Sequence, residues 1–335
     1  MTIKVGVIGI GMIGQYHINR LNNILSGAKV VAVADVDMER TQAYAAEIGA
    51  TAFATGEELI ADASVDVVIV ASWGPTHEQY VLASIAAEKP VFCEKPLAHT
   101  QEACLRILDA EVKLGRRLVQ VGFMRRFDPS YRAMKAAIDN GSIGEPLMFH
   151  SGHRNPAVPG YYTSDNAISD TSVHDIDTAR WLLKDEVVSV QVNKPKRSSR
   201  GENGLFDPLF IVMQTESGCL IDIETSVNID YGYDIRGEIV GETGTIELAE
   251  RNAVVVKAAG KFNGHVCEDW RERFDDAFSE EFRAWIKAIE TNTPVGPSAW
   301  DGYAAQAVSD AGLKSLESGN REAVELIEKP ALYRD

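Results

Sequence analysis

The chain has 335 residues, 45% of them apolar and 24% charged, enough for two or three domains of about 100–200 residues each. Its net charge of −16 speaks against a nucleic-acid surface, which needs clustered Lys and Arg against phosphates, and favours a small neutral ligand over a strongly anionic one. No run of about 18 apolar residues and no basic-then-apolar leader occurs, so a cytoplasmic protein without a membrane partner is expected. Cys93, Cys104, Cys219 and Cys267 form no C-x-x-C pair, so buried free thiols are expected rather than disulfides or a thiolate zinc site.

Ile3–Ile8 is a short apolar run that ends in Gly9-Ile10-Gly11-Met12-Ile13-Gly14, after which Tyr16, Ile18, Leu21, Ile24 and Leu25 have helical spacing. This predicts strand, glycine turn and helix. A second strand, Lys29–Ala34, ends at Asp35, and Met38–Ile48 reads as a helix closed by Gly49. The alternation continues through strand Asp66–Ala71, a helix from Pro75 to about Ala87, strand Pro90–Cys93, a helix from about Thr100 to Leu114, and strand Arg117–Val121. Val- and Ile-rich strands alternating with helices imply an α/β, doubly wound parallel sheet.

After Gly122 the pattern changes. A helix around Ser130–Ile138 leads to a strand at Leu147–His150, a loop rich in Pro and Gly from Asn155 to Tyr162, and a helix from about Ile168 to Leu183. Strands then follow closely: Val187–Val192, Leu209–Thr215, Cys219–Asn228, Tyr233–Val240 and Gly244–Leu248, with helices at about Asp275–Glu290 and Ala299–Glu317. Runs of adjacent strands predict a second, α+β domain with a mainly antiparallel sheet. The expected domains are 1–123 and 124–335, with the two late helices packing back towards the junction.

Gly9-x-Gly11-x-x-Gly14 lies between strand and helix, and Asp35 closes the next strand about 20 residues on, the arrangement that binds a dinucleotide. The glycines let the backbone approach a pyrophosphate at the positive end of the helix, and Asp35 accepts from the adenosine ribose. At about 4 Å and an effective dielectric near 20, Asp35 and a ribose 2′-phosphate would repel by roughly 4 kcal/mol, so NAD is expected over NADP, with Arg40 as a partial counterweight. The loop Ala71-Ser72-Trp73-Gly74-Pro75-Thr76-His77 leaves a strand end and is placed to touch the cofactor. Trp73 and His77 fit cofactor contact or packing equally well.

Two further motifs carry chemistry. Glu94-Lys95-Pro96 follows the strand ending at Cys93, and Asp170-x-x-x-His174 puts a carboxylate and an imidazole on one face of a helix, a stripe that Asp177 and Trp181 extend. His150 and His153 could add metal ligands, but their odd spacing puts them on opposite faces of a regular strand, so no metal site is expected. An alcohol proton has a pKa near 16, like that of water, against about 6.5 for histidine, a gap worth roughly 12 kcal/mol. If Lys95 and His174 meet at a substrate C–OH, loss of the proton must be concerted with hydride transfer while the ammonium stabilises the developing oxyanion. A solvated polar stripe remains the alternative for Asp170 and His174.

With these three motifs in this order, the chain resembles the glucose–fructose oxidoreductase / inositol dehydrogenase / rhizopine catabolism family over essentially its whole length. Segments Gly122–Asp128, Ser172–Asp177 and Tyr231–Glu238 are most similar to the family's inositol-oxidising members. The resemblance implies a Rossmann domain beside an open, mainly antiparallel sheet, homotetramers packed through those sheets, and Lys95, Asp170 and His174 as the catalytic trio. It further implies that Met124 and Arg125 border the nicotinamide and polyol, that His153 and Asn155 reach substrate hydroxyls, and that Tyr233 lines the cavity. Structural roles stay open for Arg125 in an ion pair, Tyr233 in a sheet interface and His153 in a loop. The family's Lys-Pro bond is often cis, which Pro96 permits here. The implied reaction is NAD-dependent oxidation of myo-inositol to its 2-ketone. Scyllo- or D-chiro-inositol, a pyranose sugar, or a non-enzymatic NAD-binding regulator are the alternatives.

Overall fold

A computed structural model describes residues 2–201, 204–249 and 255–334. They separate into two compact units: 2–123 with 279–306 and 326–334, and 124–278 with 307–325.

The first unit is built on six parallel strands: β1 (Ile3–Ile8), β2 (Ala28–Ala34), β3 (Thr51–Phe53), β4 (Val67–Val70), β5 (Val91–Cys93) and β6 (Val119–Val121). Their order is β3-β2-β1-β4-β5-β6, with helices α1 (Met12–Asn19), α2 (Met38–Ile48), α3 (Gly56–Ala61), α4 (His77–Ala86) and α5 (Gln101–Leu114) in the connections. This is the doubly wound order, which reverses between β1 and β4. All four residues of β4 are buried, and the core beside β1 and β2 also takes Phe92, Phe282, Trp285 and Ile286. Each such side chain contributes roughly 1.5–3 kcal/mol at most, because the unfolded chain is itself partly collapsed.

Two elements of this unit have no counterpart in the sequence reading. β3 is three residues long at the sheet edge and none of it is buried, so no alternation marks it. The helix after it is short, and its start is set by Thr55, whose hydroxyl caps Glu58 N–H at 3.2 Å.

The second unit opens with α6 (Pro129–Asp139), capped by Asp128, and β7 (Pro146–Arg154). A single turn, α7 (Ser164–Asn166), runs through a π-helical stretch, Ala167–Ser172, into α8 (Val173–Leu183). Then come β8 (Val187–Asn193), β9 (Leu209–Thr215), β10 (Leu220–Ser226), β11 (Asp234–Gly241), β12 (Thr245–Glu247), a short hairpin of β13 (Val256–Ala258) and β14 (Lys261–Asn263), and β15 (Glu322–Ala323). Helices α9 (Trp270–Thr291) and α10 (Ala299–Ser318) divide their residues between the units.

The seven-stranded sheet has the order β12-β11-β7-β10-β9-β8-β15 and is mainly antiparallel, as expected. One pair, β7 with β10, is parallel, because helices and two further strands intervene before the chain returns beside β7. β7 also runs four residues beyond the expected end at His150, so His153 and Arg154 are strand residues rather than loop.

Candidate active site

Register delivers the motifs of the first unit to one edge of its sheet. Ile8 pairs with Ala34 and Val70, Val70 with Cys93, and Cys93 with Val121. The next residues, Gly9, Asp35, Ala71, Glu94 and Gly122, therefore leave from adjacent carboxyl ends, where doubly wound folds bind ligands.

Gly9 has φ +94°, and a Cβ there would lie 2.5 Å from the Ala71 carbonyl and the Ser72 backbone. A Cβ on Gly14 would collide with the Gly9 carbonyl, so both positions require glycine. Around Gly11, by contrast, a Cβ would meet nothing within 4 Å, and this residue caps α1 without a side-chain bond or an acidic residue in the first turn. The helix start is thus open backbone, a cradle that fits a pyrophosphate.

Asp35 is anchored beside that cradle. Ile10 N–H donates to its Oδ2 at 2.8 Å, and Arg40 Nη2 lies 2.9 Å from Oδ1. In the loop after β4, Ser72 Oγ and Thr76 Oγ1 are 2.7 Å apart, and Trp73 is 76% exposed. His77 is buried, with Nδ1 2.7 Å from the Pro96 carbonyl and Nε2 3.0 Å from the Ser72 carbonyl. Burial outweighs those two carbonyls and lowers its pKa, favouring the neutral ring. Both ring nitrogens face backbone carbonyls, and a neutral ring carries one N–H, so the side chain packs between the loop and the triplet and donates to one of the two carbonyls. Lys95-Pro96 is cis, and Lys95 N–H donates to Glu94 Oε2 at 3.2 Å. Glu94 is itself buried against Gly122, where a Cβ would come within 3.0 Å of its carboxylate.

The second unit holds the other group. β7 presents Ser151 and His153 on its buried face, whereas His150 bonds to Asp222 on the neighbouring strand, Nδ1 to Oδ2 2.5 Å. The β7–β10 register is regular through Gly152, with no bulge, so the two histidines do lie on opposite faces. His153 Nδ1 is 2.7 Å from Asp175 Oδ2, its Nε2 is 3.3 Å from the Tyr233 hydroxyl, and its ring centroid is 6.4 Å from that of His174. Arg125 is 1% exposed; Nη1 donates to Asp175 Oδ1 at 2.6 Å and Nη2 lies 2.9 Å from His153 Nδ1. Burial pushes the Tyr233 hydroxyl up to about 12, so it is a neutral donor at ordinary pH. Met124 is buried in the 3-10 turn that carries Arg125, and Asn155 is fixed by its backbone, which donates to Ser226 O and accepts from Ile229 N.

Asp170 lies in the π-helical stretch and His174 in the first turn of α8. The one regular α-helix expected across both is therefore widened by a π turn, where Ser172 Oγ donates to the Ala167 carbonyl five residues back. Asp170 Oδ2 accepts from the Tyr162 hydroxyl at 3.0 Å. Asp177, expected in the stripe with His174, is instead held bidentately by Arg126 at 2.9 and 2.5 Å. Sequence reasoning gave no role to Tyr162 or Asp175, although both stand inside segments it quoted. Cys93, Cys104 and Cys219 are buried and Cys267 is half-buried. Among the described residues a group of potential metal donors is His265, Cys267 and Glu272, near the exposed start of α9, with His265 Nε2 2.5 Å from Glu272 Oε1.

Residues 3–123 match the NAD-binding Rossmann domain of the Gfo/Idh/MocA oxidoreductases, and residues 135–326 match that family's C-terminal α/β domain. The chain belongs to the Gfo/Idh/MocA family. Among curated members it is 51% identical over 333 residues to inositol 2-dehydrogenase 3 of Saccharopolyspora erythraea, covering 99% of this chain and 98% of that one. With inositol 2-dehydrogenase of Burkholderia lata it shares 48% identity over the full length of both. Among solved members, a myo-inositol dehydrogenase of Lactobacillus casei in complex with NAD(H) and myo-inositol superposes with a TM-score of 0.97 at 38% identity, covering 100% of both chains. A scyllo-inositol dehydrogenase of the same organism, with NAD(H) and scyllo-inositol, gives 0.91 at 28% identity over 97% of this chain and 99% of that one. This protein is an NAD-dependent oxidoreductase acting on CH–OH groups. No described helix of this family member is long and apolar enough to cross a membrane.

Proposed function

We propose that the protein oxidises the axial hydroxyl of myo-inositol to the 2-ketone and releases NADH. The observation that carries this reading is the full-length likeness to a dehydrogenase holding both NAD(H) and myo-inositol. The buried His153, Tyr233 and Arg125 support it, since several fixed hydrogen-bonding groups suit a neutral polyhydroxylated ring.

In this mechanism NAD, when bound, supplies the hydride acceptor. Gly9, Ile10, Gly11, Met12, Ile13 and Gly14 would hold its pyrophosphate, Asp35 its adenosine ribose, and Ser72, Trp73, Glu94, Lys95 and Met124 its other end. His174 takes the hydroxyl proton in step with cleavage of the C–H bond, because imidazole alone is too weak a base to form an alkoxide first. The Lys95 ammonium stabilises the developing oxyanion. Asp170, steadied by Tyr162, orients the imidazole or holds a neighbouring hydroxyl, and His153, Asn155, Arg125 and Tyr233 grip the remaining hydroxyls. Cytoplasmic location and a homotetramer packed through the open sheets complete the reading; light scattering should give a mass near four times 36.6 kDa.

The test is a panel of myo-, scyllo- and D-chiro-inositol and pyranose sugars, followed by absorbance of NADH. The highest kcat/KM is expected with myo-inositol. Turnover of glucose without myo-inositol would overthrow the substrate, and NAD binding without turnover of anything would make the protein a sensor.

A further inference from the structure

Asp175 takes no part in the chemistry above, yet its carboxylate is fully buried and surrounded by donors. Oδ1 accepts from Arg125 Nη1 at 2.6 Å and from Ser151 Oγ at 2.7 Å, while Oδ2 lies 2.7 Å from His153 Nδ1. Burial alone would raise its pKa, but the Arg125 guanidinium and the His153 contact hold it well below the usual carboxylate range, so it is an anion. An anionic carboxylate accepts and cannot donate, so the hydrogen between the two groups belongs to Nδ1.

Arg125 Nη2 stands 2.9 Å from the same nitrogen, and a guanidinium has only donors. One ring nitrogen cannot carry a hydrogen and accept another. The carboxylate contact is shorter and joins a donor to an anion, so it is the hydrogen bond, and Nη2 is a close neighbour. In the neutral ring Nε2 then carries the lone pair, and it points at the Tyr233 hydroxyl 3.3 Å away.

We propose that Asp175 is a positioning residue: it fixes His153 as the Nδ1–H tautomer, so that Nε2 is an acceptor facing Tyr233 and a substrate hydroxyl. The inference rests on the polyol reading and deepens it. An acceptor fixed at this point demands a hydrogen-bond donor from the substrate. A ring bearing a hydroxyl there is favoured, and its deoxy or O-methyl analogue forfeits that hydrogen bond and leaves the nitrogen the longer Tyr233 contact.

The experiment combines nitrogen NMR of ¹⁵N-histidine-labelled enzyme, with His153 assigned by His153→Gln, and kinetics of Asp175→Asn on myo-inositol and a series of its monodeoxy analogues. In wild-type protein without substrate, His153 should show a protonated Nδ1 and a bare Nε2. In Asp175→Asn this pattern should mix or invert. Its kcat/KM for myo-inositol should fall at least roughly tenfold, with KM for NAD within about twofold, and for one deoxy analogue the loss should be clearly smaller. An Nε2–H tautomer in the wild type overturns the proposal even if the variant does not fold. Equal losses across all analogues overturn it as well. Failure of the wild type to oxidise myo-inositol strikes the substrate reading instead and leaves the tautomer result standing.

Discussion

His17 Nε2 lies 2.6 Å from Glu94 Oε1, joining the helix that follows the glycine turn to the triplet that carries Lys95. His17 is fully buried, with its ring edge-on to Phe282 at 4.8 Å, and the other oxygen of Glu94 accepts from Lys95 N–H. Lys95 therefore rests on a carboxylate that is held from behind.

Replacing His17 by Ala leaves a polar atom of buried Glu94 without its partner, which costs about 1–3 kcal/mol. The expected result is a lower denaturation midpoint together with reduced turnover, and His17→Gln, which keeps a donor, should recover part of both. A His17→Ala enzyme with unchanged stability would show that the contact carries no weight.

In the proposed cofactor site, the paired Asp35 and Arg40 would select the coenzyme. Asp35→Ser removes the carboxylate that opposes a 2′-phosphate and frees Arg40, which is about half exposed, to meet that phosphate. The ratio of kcat/KM for NAD over NADP should fall by roughly tenfold or more, and Asp35→Ser with Arg40→Ala should restore part of the discrimination. Initial rates with both coenzymes decide it.

Lys95→Ala and His174→Ala should each lower kcat by about 10²–10⁴, the range for removal of an acid–base group or an oxyanion stabiliser. NAD affinity, measured by fluorescence titration, should stay within a few-fold, since neither side chain is assigned to the pyrophosphate. Near-normal turnover in either variant removes that residue from the mechanism.

Glu111 gives a pH signature away from the site. It is buried and accepts from Leu118 N–H, Val119 N–H at 2.8 Å and the Tyr333 hydroxyl at 2.7 Å. Burial raises its pKa despite these bonds. A carboxyl raised in the folded state contributes stability that is fully present below its unfolded pKa of about 4.3 and is lost as pH rises through the folded value. Denaturant midpoints across that interval should fall with pH in the wild type and change less in Glu111→Gln.

The first unit was largely legible because its signals are local. Gly9 to Gly14, Asp35 and the Val/Ile strands each announce themselves within a few residues, and register then aligns them. β3 and the short helix after it escaped because three half-exposed residues and six helical ones are too few for a period to show. In the second unit the sequence yielded the residue types but not their partners. Asp177 has helical spacing from His174, yet Arg126, 51 residues away, claims it. Asp175 collects donors from positions 125, 151 and 153, a convergence no spacing rule encodes. The π turn between Asp170 and His174 was equally invisible, since the side chains there are compatible with an ordinary helix.

The position of His77 between two backbone segments bears on any attempt to re-engineer the enzyme. Ser72 and Pro96 are 24 positions apart, but one imidazole packs between their carbonyls and donates to one of them. A mutant library confined to Ser72–Thr76, chosen to retune the cofactor pocket, would also shift the footing of Lys95. Screens for altered coenzyme use in that loop would then return many catalytically poor clones unless residues 94–96 were varied alongside it.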